Sequence, residues 1–365
     1  MADRYVYVGT YTTPHTPHGG REPSRAQGIY VFRMDGTSGA LTQVQVVECE
    51  NPSWLTLDPQ RRFLYAVHEV DSGTVSAFAV DPRTGELTFL NEQPTLGADP
   101  AHLAIDPAGR WLLAANYTGG NFALLPVDSD GRVGPASDVF APTGSGPNTA
   151  RQAGPHAHQA SFDLRGPFAF GADLGLDRLW SWRIGADEGK LVANGVPYIQ
   201  VASGSGARHF DFHPDGRFLY VINELTNSIT AFTYDAAAGS ASWIQTVSTL
   251  PADFAATSHT AEIAVHQSGK WLYGSNRGHD SIVIFALDPA SGTLGDARWV
   301  PSQGRVPRGF GIDPSGTLML VGNSVSDTVV PFSIDPSSGA LTPTGAVTET
   351  PVPVAFAFGA EIGKT

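Results

Sequence analysis

The stretch "ARHFDFHPDGRFLYVINE", residues 207–224, carries an arginine near one end and a glutamate at the other of what otherwise alternates like a plain β-hairpin. Phe210 and Phe212 precede a Pro214-Asp215-Gly216 turn, and Phe218, Tyr220 and Ile222 follow it. In an antiparallel pairing centred on that turn, opposed residue numbers sum to about 431, so Arg208 and Glu224 come together at the open end. A guanidinium keeps a neighbouring carboxylate ionised and able to take a proton from water, and it can steady the oxyanion formed when water attacks an ester carbonyl. Ester hydrolysis without a metal or other cofactor needs little more than these parts.

The hairpin recurs. "SWLTLDPQRRFLYAVHE" (53–69), "AHLAIDPAGRWLLAANY" (101–117), "AEIAVHQSGKWLYGSN" (261–276) and "RGFGIDPSGTLMLVGNS" (308–324) follow the same scheme, with a degenerate copy at 158–173. Each is followed by a third apolar run, a turn and a weaker fourth strand, so one unit holds four strands. The turn-initiating positions 58, 106, 163, 213, 266 and 313 recur every 47 to 57 residues, a period that suits propeller blades. A seventh unit is split: "RYVYVGTY", "GIYVFRM" and "LTQVQVV" come from the N-terminus, and "VPVAFAF" from the C-terminus supplies the missing first strand. Pairing the two ends removes the open edges that a solenoid would leave. The expected fold is all-β, a seven-bladed β-propeller of four-stranded antiparallel blades forming a single domain over residues 1–365.

In such a ring the start of each first strand and the end of each second strand reach the same mouth of the central channel. Second strands are expected to end at Tyr11, Glu69, Tyr117, Asp173, Glu224, Arg277 and Ser324. First strands begin at Ser53, Ala101, His158, Arg208, Ala261 and Arg308, with His102, His209 and Glu262 one residue further on. The interior of the repeat is uniform, whereas these channel ends differ from blade to blade. Long insertions at 12–28, 141–156 and 251–260 fall on connections that end at this mouth.

Arg208, Arg277 and Arg308 suit a small anionic substrate, because guanidinium forks match carboxylate and phosphate oxygens. Glu224 or His158 is a candidate to activate water, and Arg208 or Arg277 to hold the oxyanion. His102, His156, His209, Tyr117, Asp173 and Glu69 are candidate substrate contacts, against the plainer reading of a solvated polar pore. His156 and His158, with His102 and His209, could suggest zinc, but no cysteine partner or HExxH pattern supports it. Glu69, Asn116, Asp173 and Glu224 form an alternative oxygen-ligand set for a hard cation. His213 and His266 replace a turn aspartate, and His15 and His18 fall in a Pro/Gly-rich loop expected to face solvent.

Composition narrows the rest. The chain has 365 residues, 41% hydrophobic and 16% charged, with 41 glycines and 27 prolines, which fits short strands and many turns rather than disorder or helix. A formal charge of -13 argues against nucleic acid as a partner. "MADRYVYVGTYTT" lacks the apolar run of a signal peptide, and no later stretch is long enough to cross a bilayer, so neither a membrane nor export is expected. The single Cys49 fits a reducing, cytoplasmic setting, with a monomer or small homo-oligomer left open.

"YVGTYT", "ARHFDFHPDGRFLYVINEL", "WLYGSNRG" and "PRGFGIDPSG", in this order and running essentially end to end, make the chain resemble the seven-bladed lactonase family of sugar-phosphate lactone hydrolases and muconate-lactonizing enzymes. The resemblance implies a cytoplasmic propeller with a site at one mouth and a catalytic set of one histidine, two arginines and one glutamate. Carried over by motif, these are His158 in "GPHAHQ", Arg208 in "ARHF", Glu224 in "VINEL" and Arg277 in "SNRG". The implied reaction is opening of the ring ester of 6-phosphogluconolactone, a step of the pentose phosphate pathway. Reversible lactonization of a carboxymuconate and a non-catalytic binding propeller are the alternatives.

Overall fold

Blade 5 shows how the repeat folds. Its strands run Ala207–Phe212, Phe218–Asn223, Ser228–Asp235 and Ser240–Ser248, each hydrogen-bonded antiparallel to the next. The first turn is held by the side chain that opens it. In most blades this is aspartate: Asp313 Oδ1 accepts Thr317 N at 3.0 Å and Leu318 N at 2.9 Å. His213 and His266 reach across to the next blade instead, donating through Nε2 to the Gly269 and Gly316 carbonyls at 2.9 Å each. Gly269 has φ +69°, and a Cβ there would lie 2.6 Å from the His213 ring, so glycine meets both demands at once. The two histidines are turn residues, as the repeat predicts.

The computed structural model describes residues 2–13, 24–163, 165–185 and 189–363. Among them there is no helix, and the strands form seven antiparallel sheets. First strands of successive blades pack against one another all the way round, which makes a closed ring with those strands nearest its axis. Every gap between neighbouring blades is filled by its own apolar cluster. Tyr220, Ile222, Leu272 and Phe285 pack between blades 5 and 6, and Val6, Phe32, Leu320 and Val329 between blades 7 and 1. Second-strand tyrosines stitch four of the gaps by donating to a glycine carbonyl of the following blade, Tyr7 to Gly85, Tyr65 to Gly131, Tyr220 to Gly292 and Tyr273 to Gly339, at 2.9–3.1 Å. Apolar burial supplies the attraction, and these hydrogen bonds fix the angle between blades.

Blade 1 is assembled from both ends of the chain, as expected. Pro353–Glu361 lies innermost and pairs with Arg4–Thr10, Val8 facing Phe356. Blade 7 departs slightly from four strands, because its outer strand is broken. Leu341–Pro343 and Thr348–Glu349 pair separately with the third strand, on either side of a segment containing Gly345 at φ +90°. Of the three insertions, most of 12–28 and with it His15 and His18 lies outside the described residues.

Candidate active site

The side chains at the mouth are aimed by β-bulges. In blades 3 to 7 the pairing of the first two strands slips between Pro100 and His102, Ala157 and Gln159, Ala207 and His209, Thr260 and Ile263, and Pro307 and Gly309. The residues left over include His158, Arg208 and Arg308. A bulge leaves its extra residue out of the ladder and bends the strand, which turns three side chains toward the axis that a regular strand would alternate away from it. Gly309 follows the bulge in blade 7 because a Cβ there would run into the Val354 carbonyl of the closing strand.

Most second strands deliver their residues one position beyond the last pair, whereas Arg277 is itself the last pair of its strand, opposite His259. Glu69, Tyr117, Glu224 and Ser324 each donate the backbone N–H to a carbonyl just before the first strand, those of Asn51, Asp99, Gly206 and Val306. In blade 4 the residue making this bond is Leu174, to His156, and Asp173 is the partner of Ala157 one step earlier. The expected place of Asp173 at the mouth is therefore off by one residue, and one residue flips a strand side chain to the other face. Its carboxylate is fully buried and holds a turn, Oδ1 accepting His156 N at 2.9 Å and Leu176 N at 3.1 Å and Oδ2 accepting Trp180 Nε1 at 3.2 Å. Asp173 is withdrawn as a substrate contact.

Glu224 is the hub. Its Oε2 accepts Arg208 Nε at 2.9 Å and Arg277 Nη2 at 2.8 Å, and its Oε1 accepts Arg151 Nη2 at 2.6 Å. Arg208 and Arg277 are themselves tied to the main chain, Arg208 Nη1 to the Ala261 carbonyl and Arg277 Nη2 to the Thr260 carbonyl, both 2.7 Å. Burial alone would push the Glu224 carboxyl up, but Arg277 and Arg208, with Arg151, hold it well below the usual carboxylate range. Glu224 is ionised at neutral pH. Burial, then the charge on its neighbours, pushes Arg208 down from the ordinary guanidinium range.

A cavity of about 430 Å³ opens in front of this cluster. Its wall includes seven of the expected residues, Glu69, Tyr117, His156, His158, Glu224, Arg277 and Arg308. Arg308 Nη2 donates to the Tyr11 hydroxyl at 2.6 Å, and that hydroxyl donates to Glu69 Oε2 at 2.7 Å. His156 stacks on Tyr117 with ring centroids 4.7 Å apart. Arg208 stands behind Glu224 rather than in the wall. His102 and His209 do not line the cavity either; they pack next to His158 on the axis, His209 5.0 Å from His158 and 5.4 Å from His102 between centroids, with Trp54 stacked on His102. Burial, followed by nearby charge, lowers all three histidines well below the usual imidazole range, so they are neutral at pH 7.

Three ionisable lining residues had no signal in the repeat. Arg151 comes from the 141–156 insertion, Asp99 precedes the blade 3 strand, and His259 ends the 251–260 insertion. Insertions of that length marked where such groups could come from, though not which. The oxygen set considered for a cation does not converge: Asn116 Nδ2 is bound to the Thr95 carbonyl and Asn121 Oδ1, and Asp173 caps its turn. Among the described residues no three histidine, cysteine or acidic side chains are grouped so as to hold a metal ion.

Comparison with known proteins matches residues 5–358 to the family described as "Lactonase, 7-bladed beta-propeller". A 6-phosphogluconolactonase of Bacillus subtilis is 35% identical over 97% of this chain and 98% of its own. One of Formosa agariphila is 34% identical over 89% of this chain and 91% of its own. Among solved structures, a periplasmic gluconolactonase of Pseudomonas aeruginosa superposes with a TM-score of 0.90 at 31% identity, covering 99% of this chain and 100% of that one.

Proposed function

Because the chain belongs to the seven-bladed β-propeller lactonase family, we propose that its mouth cavity opens the ring ester of 6-phosphogluconolactone to give 6-phosphogluconate. The observation that carries this reading is Glu224, an ionised carboxylate facing the cavity and gripped by three guanidiniums. Glu224 takes one proton from a water molecule as the water oxygen bonds to the lactone carbonyl carbon. The carbonyl electron pair moves onto its oxygen, where Arg277 steadies the charge. Collapse breaks the bond between acyl carbon and ring oxygen, and the proton held by Glu224 passes to that oxygen. His158, neutral and part of the cavity wall, orients the attacking water.

The reaction needs no metal in this reading, since the guanidiniums around Glu224 supply the positive charge that a cation would bring. The substrate is a small anionic lactone. A phosphorylated sugar does not cross membranes unaided, so in this reading the activity belongs in the cytoplasm beside the reactions of the pentose phosphate pathway that make its substrate. The test is titration of acid release at constant pH from freshly made 6-phosphogluconolactone. Purified protein is expected to release acid far faster than the spontaneous reaction. A rate equal to the uncatalysed one, with an intact fold, would overturn the proposal.

A further inference from the structure

We propose that Arg151 is the group that makes the site selective for a phosphorylated lactone, and that the phosphate switches the site on by drawing Arg151 away from Glu224. The inference rests on the hydrolytic reading above and adds a residue to the four carried over by motif, His158, Arg208, Glu224 and Arg277.

The four arginines at the mouth are not equivalent. Arg208, Arg277 and Arg308 are carried by strands, and the side chains of Arg208 and Arg277 are only 3% and 4% exposed, each bound to a main-chain carbonyl as well as to Glu224. Arg151 sits on an insertion without strand structure, its side chain is 29% exposed, and its bonds go to Glu224 Oε1 and, at 3.2 Å, to the Tyr117 hydroxyl. Of the three arginines bound to Glu224 it is the one tied to no main-chain carbonyl and the most exposed.

Arg151 also occupies the wrong place for catalysis in the resting state. Oε2 of Glu224 is taken by two fixed guanidiniums, so Oε1 is the oxygen left to accept a proton, and Arg151 covers it. A phosphate monoester entering the cavity offers the Arg151 fork two oxygens and more charge than a carboxylate does. When the fork turns to it, Oε1 is uncovered and Glu224 loses one of its cationic neighbours, which raises its affinity for a proton. A lactone without the phosphate leaves Arg151 in place and meets a blocked base.

The experiment measures kcat and KM against pH for wild type, Arg151→Lys and Arg151→Ala, with 6-phosphogluconolactone and with gluconolactone, alongside calorimetric titration of 6-phosphogluconate and of gluconate. Arg151→Ala is expected to lower the ratio of kcat/KM for the phosphorylated over the plain lactone by at least about tenfold, to move the acid limb of the profile to higher pH, and to abolish the preference for binding 6-phosphogluconate. Arg151→Lys is expected to fall between. An unchanged ratio with an unmoved acid limb would overturn the proposal. If wild type hydrolyses neither lactone, the hydrolytic reading fails, and calorimetry still decides whether Arg151 holds the phosphate.

Discussion

Arg208 Nε lies 2.9 Å from Glu224 Oε2, although the two residues are not partners in the strand ladder. Ala207 faces Asn223 and His209 faces Ile222, so Arg208 is the extra residue of a bulge and Glu224 stands one step past the last pair. The ion pair depends on that irregularity. Arg208→Lys keeps the charge but cannot reach both Glu224 and the Ala261 carbonyl as the fork does. The variant is expected to lose about 1.5–3 kcal/mol in urea denaturation, the range for a hydrogen bond to a charged group. Equal stability would show that the fork is not needed.

Glu262 gives a pH signature that can be read from stability alone. Its carboxyl, bonded to His209 Nδ1 at 3.0 Å, is pushed up to about 7 by burial, against an ordinary value of 4.5, with Arg208 opposing. A raised folded value means that the folded state holds the proton longer than the unfolded chain, so the contribution is present below 4.5 and lost as pH rises through 7. Glu262→Gln has no such loss. Relative to wild type it should gain about 1.4 kcal/mol per pH unit across that window and level off above it. A difference that does not vary with pH would contradict the assignment.

Asp173→Asn separates a turn cap from a substrate contact. The amide keeps Oδ1 for His156 and Leu176 but sets an N–H against Trp180 Nε1, at a cost of about 1–3 kcal/mol. The denaturation midpoint should fall while KM for the lactone stays the same. A raised KM at unaltered stability would return Asp173 to the site.

These residues also show what the sequence makes legible. The uniform part of the repeat, with its turn residues and its alternating Phe, Leu, Tyr and Val, marks the strands, their number and the split blade, because each blade solves the same packing problem. Arg208, Glu224, Arg277, Arg308 and His158 were readable because they break that uniformity at one end. Asp173 misled because the degenerate copy in blade 4 admits an alignment shifted by one residue, which apolar periodicity alone does not reject. Arg151 had no pattern to betray it: it lies in "TGSGPNTARQAGPH", where neither a period of two nor a repeat fixes a side chain's direction.

We propose that the ring unfolds as one domain, since the innermost strand of blade 1 comes from the other end of the chain. Ending the chain at Val352 removes Pro353–Glu361, exposing the edge of Arg4–Thr10 and taking Phe356 and Phe358 out of the cluster between blades 7 and 1. The shortened protein is expected to show no cooperative unfolding transition. A transition like that of wild type would mean that the blades are stable without closure.

The account turns on Glu224 as the group that takes the proton from water, and Glu224→Gln tests it with almost no change of shape. Side by side with wild type in the constant-pH titration, and with folding checked by circular dichroism, the variant is expected to lose a factor of about 10²–10⁴ in kcat on 6-phosphogluconolactone. A folded Glu224→Gln protein that keeps the wild-type kcat would contradict it.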